Sequence, residues 1–312
     1  MTLRNKVLSV VLVLVVGALA TLAVAVSHDS PCEVAAPLPA GTPSMQAIVY
    51  RCYGGPEVAK LENVAKPAPA DGRILVKVHA ASVNPLDWHY MRGKPYIMRL
   101  AGTGFGVPQD TRLGVDFAGT VEAVGNNVQR FKPGDEVFGA ADGSFAEYVT
   151  VRAEGSVVLK PANMTFEQAA AAPVAAVTAL QALRDKGMVQ AGQKVLINGA
   201  SGGVGPYAVQ IAKSLGADVT AVCSTRNVEM VRSIGADHVI DYTREDFTRG
   251  SQHYDLIIDS VGSHPLSEYR RVMAPAGKLV MVGGPSDDPW LGPLRRSIDA
   301  AVMSPFVSQK ML

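Results

Sequence analysis

Val195-Leu196-Ile197-Asn198-Gly199-Ala200-Ser201-Gly202-Gly203-Val204-Gly205 is the stretch from which the fold can be read. An apolar run leads into a glycine-rich turn, a helical pattern follows over residues 206–215, and a second apolar run returns at 218–223. Strand, glycine turn, helix and strand in that order form the setting in which such a turn holds a dinucleotide. Gly202 lets backbone approach a pyrophosphate, and the N-terminus of the helix presents unpaired N–H groups to the anion. Gly205 allows the helix to pack closely on the strand.

The end of the second strand bears on which dinucleotide is held. A site for NAD would carry Asp or Glu there, about 20 residues on, to hold the ribose 2′-hydroxyl. This chain has Cys223-Ser224-Thr225-Arg226 instead. With no carboxylate there to repel a 2′-phosphate, and with Ser224, Thr225 and Arg226 as donors to one, the expected cofactor is NADPH.

Outward from the turn, short β-branched runs recur at 238–240, 256–259 and 278–282, with helical patterns at 206–215 and 227–234. That alternation predicts a parallel sheet with helices on both faces. An alanine-rich helical stretch over 165–186 precedes it, and Thr165-Phe166-Glu167-Gln168 resembles a capping box. Residues 46–50, 74–80, 115–124, 136–138 and 148–151 read as strands set off by Gly, Asn and Pro, which predicts a compact β-barrel-like domain. The expected organisation is a leader and linker at 1–44, a first folded domain at 45–171 and a second at 172–312.

Of the 312 residues, 48% are hydrophobic and 18% charged, which excludes a disordered chain. The net charge of +1 gives no basic patch for a nucleic-acid partner. Cys32, Cys52 and Cys223 are scattered and odd in number, a poor disulfide framework, and read as packing residues or spare thiols. Residues 7–26 carry no charge and follow Arg4 and Lys6. Twenty apolar residues suffice to cross a bilayer, and the basic flank would leave the rest of the chain outside the cytoplasm. Ala23-Val24-Ala25 also resembles a signal-peptide cleavage site. Residues 28–44, rich in Pro, Ala and Gly, read as a linker.

The sequence resembles the medium-chain dehydrogenase/reductase superfamily, in its zinc-independent quinone oxidoreductase (zeta-crystallin-like) branch. The resemblance is carried by Tyr53-Gly54-Gly55-Pro56-Glu57-Val58, Val83-Asn84-Pro85-Leu86-Asp87, Leu113-Gly114-Val115-Asp116-Phe117-Ala118-Gly119 and Val121-Glu122-Ala123-Val124-Gly125. Gly134-Asp135-Glu136-Val137-Phe138-Gly139 and the turn at 199–205 continue the series in order. It implies an α/β protein with a GroES-like catalytic domain beside a Rossmann domain that is a doubly wound parallel sheet, with substrate held in the cleft. Asn84 would lie near the nicotinamide ribose and Thr178 near the nicotinamide ring. Gly202, Gly203, Val204 and Gly205 would serve the pyrophosphate, while Ser224, Thr225, Arg226 and Tyr242 would surround the adenosine end. Val282 and Gly283 would line the nicotinamide pocket.

Zinc-dependent members use a Cys or Asp, a His-Glu pair and a further Cys or His. This chain has Ser82–Asn84, Val115-Asp116 and Ala175-Ala176 at the matching places, and Asp116 alone cannot assemble a tetrahedral site. Without a Lewis acid, hydride transfer must lean on hydrogen bonds to the substrate oxygen, which suits quinones and α,β-unsaturated carbonyls better than simple alcohols. His89 and Tyr90, in the loop after Asn84, are the candidate proton donors. Alternative readings are an enoyl-thioester reductase, an alcohol dehydrogenase-like activity, or a membrane-tethered NADPH-binding protein without catalysis; a homodimer is a possible assembly, as in relatives. Two departures bear on this. Relatives begin near Met45, so a start there would leave a cytoplasmic protein, whereas export would require a retained cofactor. Relatives also continue past the segment resembling Ser304-Pro305-Phe306-Val307, so the Rossmann sheet is expected to be incomplete at its C-terminal end.

Overall fold

The computed structural model describes residues 3–304 and 307–312; Pro305 and Phe306, within the expected C-terminal match, lie outside the described residues. The chain divides into two compact units, Met1–Glu167, which includes a first helix, α1 (Leu3–Ser27), and Gln168–Leu312.

The first unit contains an antiparallel pair, β1 (Ser44–Val49) and β2 (Lys60–Ala65). It also holds β3 (Arg73–Ser82), α2 (Pro85–Arg92), β4 (Asp116–Val124), β5 (Glu136–Ala140), β6 (Tyr148–Arg152) and β7 (Val157–Leu159). Strands β6-β3-β4-β5-β7 form one antiparallel sheet, with β3 bulged against β4 at two places. Ile74, Val76, Phe117, Val121, Val137 and Val149 make its core, alternate residues turned inward as the pleat requires. The sequence reading placed five of these strands. It passed over β2, whose Lys60-Leu61-Glu62-Asn63 is exposed and polar, and β7, which is only three residues long.

In the second unit, α3 (Phe166–Ala170), whose first two residues belong to the first unit, and α4 (Pro173–Leu180) replace the single long helix expected from 165–186. Pro173 interrupts the ladder, and the chain continues from α4 as a wider turn over Gln181–Gly187. Then come β8 (Lys194–Asn198), α5 (Gly205–Ser214), β9 (Asp218–Cys223), α6 (Val228–Ser233) and β10 (His238–Asp241). β11 (Tyr254–Asp259), α7 (Leu266–Arg271), β12 (Met273–Met281), α8 (Leu294–Met303) and β13 (Lys310–Met311) complete it. The six strands are parallel in the order β10-β9-β8-β11-β12-β13. Both faces are apolar. Val195 and Ile197 point to the cluster under α4, α5 and α6, whereas Leu196 points to the cluster with Tyr269 and Ala300. A continuous apolar strand is what a sheet covered on both sides demands.

Two expectations are corrected. Cys32 and Cys52 are joined by a disulfide, with Cα atoms 4.6 Å apart, while Cys223 is free and buried. The linear reading missed the pair because the fold, not the spacing of 20 residues, brings them together. Nor is the whole of 28–44 a free linker. Asp29 bridges to Gly106, and the Arg99 guanidinium donates to the His28 carbonyl at 2.9 Å.

Candidate functional site

In the second unit, strand order reverses between β8 and β11: β9 lies on one side of β8 and β12 on the far side of β11. Loops beyond such a switch point are where parallel sheets bind ligands. Asn198 ends β8 and Asp259 ends β11, and the Asn198 carboxamide donates to Asp259 Oδ1 at 2.9 Å. Asp259 also accepts from the N–H groups of Val261 and Gly262 and from Arg296 at 2.6 Å. This buried network ties the two strand ends together and fixes the loops that leave them.

The glycine turn follows Asn198. Gly199 has φ 85°, a conformation that favours glycine. Gly205 opens α5, and a Cβ there would lie 2.5 Å from the Ala200 carbonyl carbon and collide with the Gly199 oxygen. By contrast, nothing lies within 4 Å of a Cβ built on Gly203, and Gly202 meets only Gly199 O at 3.4 Å. Gly205 is therefore required by packing, whereas Gly202 and Gly203 leave an open cradle at the head of a ten-residue helix. The donor set and the space fit a pyrophosphate.

At the far end of β9, Ser224 is half-buried, Arg226 is exposed and Tyr242 is 62% exposed. Asn227 donates to both Ser201 Oγ at 3.0 Å and Ser224 Oγ at 3.3 Å, linking the glycine turn to this end. The statement that no carboxylate stands here is corrected. Parallel pairing puts Asp241 of β10 beside Cys223 of β9, and Thr225 donates its hydroxyl to Asp241. The hydrogen bond from Thr225 holds the Asp241 carboxyl below its ordinary range. Ser224 and Arg226 remain available as donors. Val282 and Gly283, just past β12, donate their N–H groups to the Asp259 carbonyl, and Thr178 is half-buried on α4.

In the first unit, Asn84 caps α2 and is 8% exposed. Its own N–H donates to Asp87 Oδ2 at 2.7 Å, and its side-chain Nδ2 donates to Asp116 Oδ2 at 3.1 Å. Ser82 donates to the same oxygen at 3.1 Å. Asp87 further accepts from Gly114 N–H at 3.2 Å. Burial pushes the Asp87 carboxyl above its ordinary value, against the pull of those two N–H donors and with Asp116 adding to the rise. The sequence reading gave Asp116 and Ser82 no role in holding Asn84; the structure makes them its supports.

His89 and Tyr90 lie near the other end of α2, and neither hydrogen-bonds to Asn84 among the described residues. His89 Nδ1 sits 2.7 Å from the Lys94 carbonyl. A carbonyl only accepts, so Nδ1 carries the proton and neutral His89 offers Nε2 as an acceptor. Tyr90 lines a cavity of about 650 Å³ with Tyr50, Thr103, Asp110, Arg112, Gly114 and Asp142. Burial, then Asp142 and Asp87, raise its hydroxyl above the ordinary phenol value, so it stays a donor at neutral pH. Among the described residues no group of three His, Cys, Asp or Glu stands close enough to hold a metal ion.

Residues 70–162 match the family model for the alcohol dehydrogenase GroES-like domain, and residues 203–298 match that for zinc-binding dehydrogenase. The chain is 36% identical over 259 residues to a chloroplastic quinone-oxidoreductase homolog of Spinacia oleracea, covering 78% of this chain and 76% of the relative. It is 37% identical to the chloroplastic NADPH-dependent alkenal/one oxidoreductase of Arabidopsis thaliana, covering 77% of this chain and 63% of that relative. The solved quinone oxidoreductase of Coxiella burnetii superposes with a TM-score of 0.73 at 31% identity, covering 86% of this chain and 82% of that one. With the glycine cradle at a switch point and an antiparallel GroES-like sheet in the same chain, the protein belongs to the medium-chain dehydrogenase/reductase superfamily, in its quinone oxidoreductase branch, a family of oxidoreductases.

Proposed function

We propose that the chain reduces quinones or α,β-unsaturated carbonyls with NADPH and without zinc. The observation that carries this reading is the open cradle at Gly202 and Gly203 on the head of α5, where space and N–H donors match a pyrophosphate. The nicotinamide, when bound, supplies the hydride. Gly202, Gly203 and Val204 hold the pyrophosphate, and Ser224, Arg226 and Tyr242 receive the adenosine end and its phosphate. Asn84, fixed by Asp116, orients the nicotinamide ribose; Thr178, Val282 and Gly283 shape the ring's surroundings.

The zinc-free reading rests on what occupies the family's ligand positions. Ser82 and Asn84 are hydrogen-bonded to Asp116, and Ala175 and Ala176 have no donor atoms. Charge on the substrate oxygen must then be met by hydrogen bonds, and conjugation in a quinone or enone lowers that demand. Tyr90, held protonated, is the stronger candidate donor; His89 serves only as an imidazolium, because its Nδ1 proton is committed to Lys94. The relatives' names, a quinone-oxidoreductase homolog and an alkenal/one oxidoreductase, support this substrate class. We also propose that Leu8–Ser27, a 20-residue helical stretch of mean hydropathy 2.8, anchors the chain in a membrane.

The test is a fluorescence titration of the full chain in detergent with NADPH and NADH, with quinone-dependent NADPH oxidation followed in the same sample. Tighter binding of NADPH with turnover is expected. Binding without turnover on quinones and enones would reject the reductase reading, and no binding to a folded sample would reject the cofactor site.

A further inference from the structure

We propose that residues 26–32 are a built part of the GroES-like unit and seat it directly on a phospholipid bilayer, with Arg99 as the clamp and Phe105 in the lipid interface. The inference rests on the membrane placement proposed above and is independent of the catalytic reading.

The Arg99 side chain is fully buried. Its Nε donates to Gly93 O at 2.9 Å; Nη1 donates to Val26 O and His28 O, each at 2.9 Å; Nη2 meets Asp29 Oδ1 at 2.6 Å. The guanidinium also stacks on Tyr53, 4.0 Å from the ring centre. Three of its four polar partners thus lie at or just beyond the end of α1. A helix C-terminus leaves carbonyls without partners, and a cation there satisfies them. Conversely, removing residues 1–44 would leave Arg99 a buried charge stripped of those partners, a strongly unfavourable state. Beyond the clamp, Ser30 N–H donates to Gly106 O at 2.9 Å, and a Cβ on Gly106 would lie 2.7 Å from Ser30 Oγ. Cys32 is then bonded to Cys52.

With the span in a bilayer, this geometry sets how the unit lies against it. The apolar span Leu8–Ser27 is 6% buried and runs into the clamp with no spacer. Its 20 residues are about 30 Å of helix, the thickness of a hydrocarbon core. Phe105, 55% exposed, lines a groove with Ala20, Thr21 and Val24 of that span. If α1 spans, Phe105 lies level with its last turns and enters the interface, where an aromatic ring is favoured. The basic Arg4 and Lys6 precede the span, which puts the folded units on the side where a disulfide persists.

The test uses the full chain expressed in bacteria. Membranes are extracted with alkaline carbonate, the intact mass is measured, and native thiols are counted with a maleimide. The proposal expects the chain in the pellet, a mass that includes α1, and Cys32 and Cys52 unlabelled until reduction. A soluble chain beginning at Val26 would overturn the bilayer seat, and a start at Met45 or ready labelling of Cys52 would overturn the clamp. To locate the loop, Phe105→Trp is made in a chain with Trp88→Phe and Trp290→Phe and reconstituted in phosphatidylcholine vesicles. Quenching by acyl-chain-brominated phosphatidylcholine is expected; emission unchanged from that in unbrominated vesicles would overturn the interfacial placement. Asp29→Asn, which keeps the span and the disulfide, is expected to weaken that quenching. Full quenching in this variant would mean that the Arg99–Asp29 pair does not hold the loop.

Discussion

Asn84 donates through its side-chain Nδ2 to Asp116 Oδ2 at 3.1 Å, and the sheet register explains why the two meet. Ser82, last in β3, pairs with Asp116, first in β4, so the loop carrying Asn84 begins at the carboxylate that will hold it. The bond leaves the carboxamide in one orientation at the head of α2. A residue expected to touch cofactor is thereby positioned by one that does not.

Replacing Asp116 by Asn keeps the volume and removes the carboxylate. Hydrogen bonds to charged groups contribute about 1.5–3 kcal/mol. A loss of that size in orienting Asn84 lowers kcat/KM for NADPH by about tenfold or more. Steady-state kinetics with a quinone, beside a thermal melt, checks this; an unchanged kcat/KM in a folded variant would show that Asn84 needs no support.

Asp87 makes stability depend on pH in a direction opposite to that of the carboxylates held below their ordinary value, such as Asp135 and Asp246. Its folded value lies above the ordinary 3.8, chiefly through burial. Below 3.8 the group is protonated in both the folded and the unfolded chain, and its contribution is fully present. As pH rises through the raised folded value, that contribution is lost. Asp87→Asn removes this dependence, so the stability difference between wild type and variant narrows as pH rises. The variant also turns one amide hydrogen toward the N–H of Asn84 or Gly114, costing about 1–3 kcal/mol. Urea melts at several pH values between 4 and 7 read both effects, and a constant difference would refute the assignment.

Local pattern accounts for much of this molecule. The apolar runs from Val195 and over 218–223 are legible as strands in the sequence, because strands buried on both faces leave unbroken apolar runs. What escaped is long-range. Asp241 reaches Thr225 only through parallel pairing of β10 with β9, and Cys52 reaches Cys32 only once β1 is in place. Arg99, one basic residue at the start of a short wide helical turn over Arg99–Thr103, gives no sign in sequence of being buried. Its meaning lies in carbonyls some 70 residues earlier.

The end of β9 proposed to receive the adenosine carries opposing charges, and each can be removed separately. Arg226 is exposed and free to reach a 2′-phosphate, while Asp241 stays ionised at neutral pH and repels one. Arg226→Ala is expected to weaken NADPH by about tenfold with NADH little changed. Asp241→Asn is expected to raise the preference for NADPH. Dissociation constants for both nucleotides check the pair; equal losses for NADH and NADPH in Arg226→Ala would place the phosphate elsewhere.

Gly203 and Gly205 stand two residues apart and answer to different demands. A Cβ on Gly205 would collide with the Gly199 and Ala200 backbone, so Gly205→Ala must push α5 off β8. A melting temperature lowered by several degrees is expected, with cofactor binding lost as a consequence. A Cβ on Gly203 meets nothing within 4 Å, so Gly203→Ala folds as wild type does. Yet that methyl would stand in the cradle assigned to the pyrophosphate. Its expected signature is an unchanged melt with NADPH and NADH weakened alike, since both carry the same pyrophosphate. Wild-type affinity in Gly203→Ala would move the pyrophosphate off the turn, and a lowered melt would mean that the open space is filled in the folded protein.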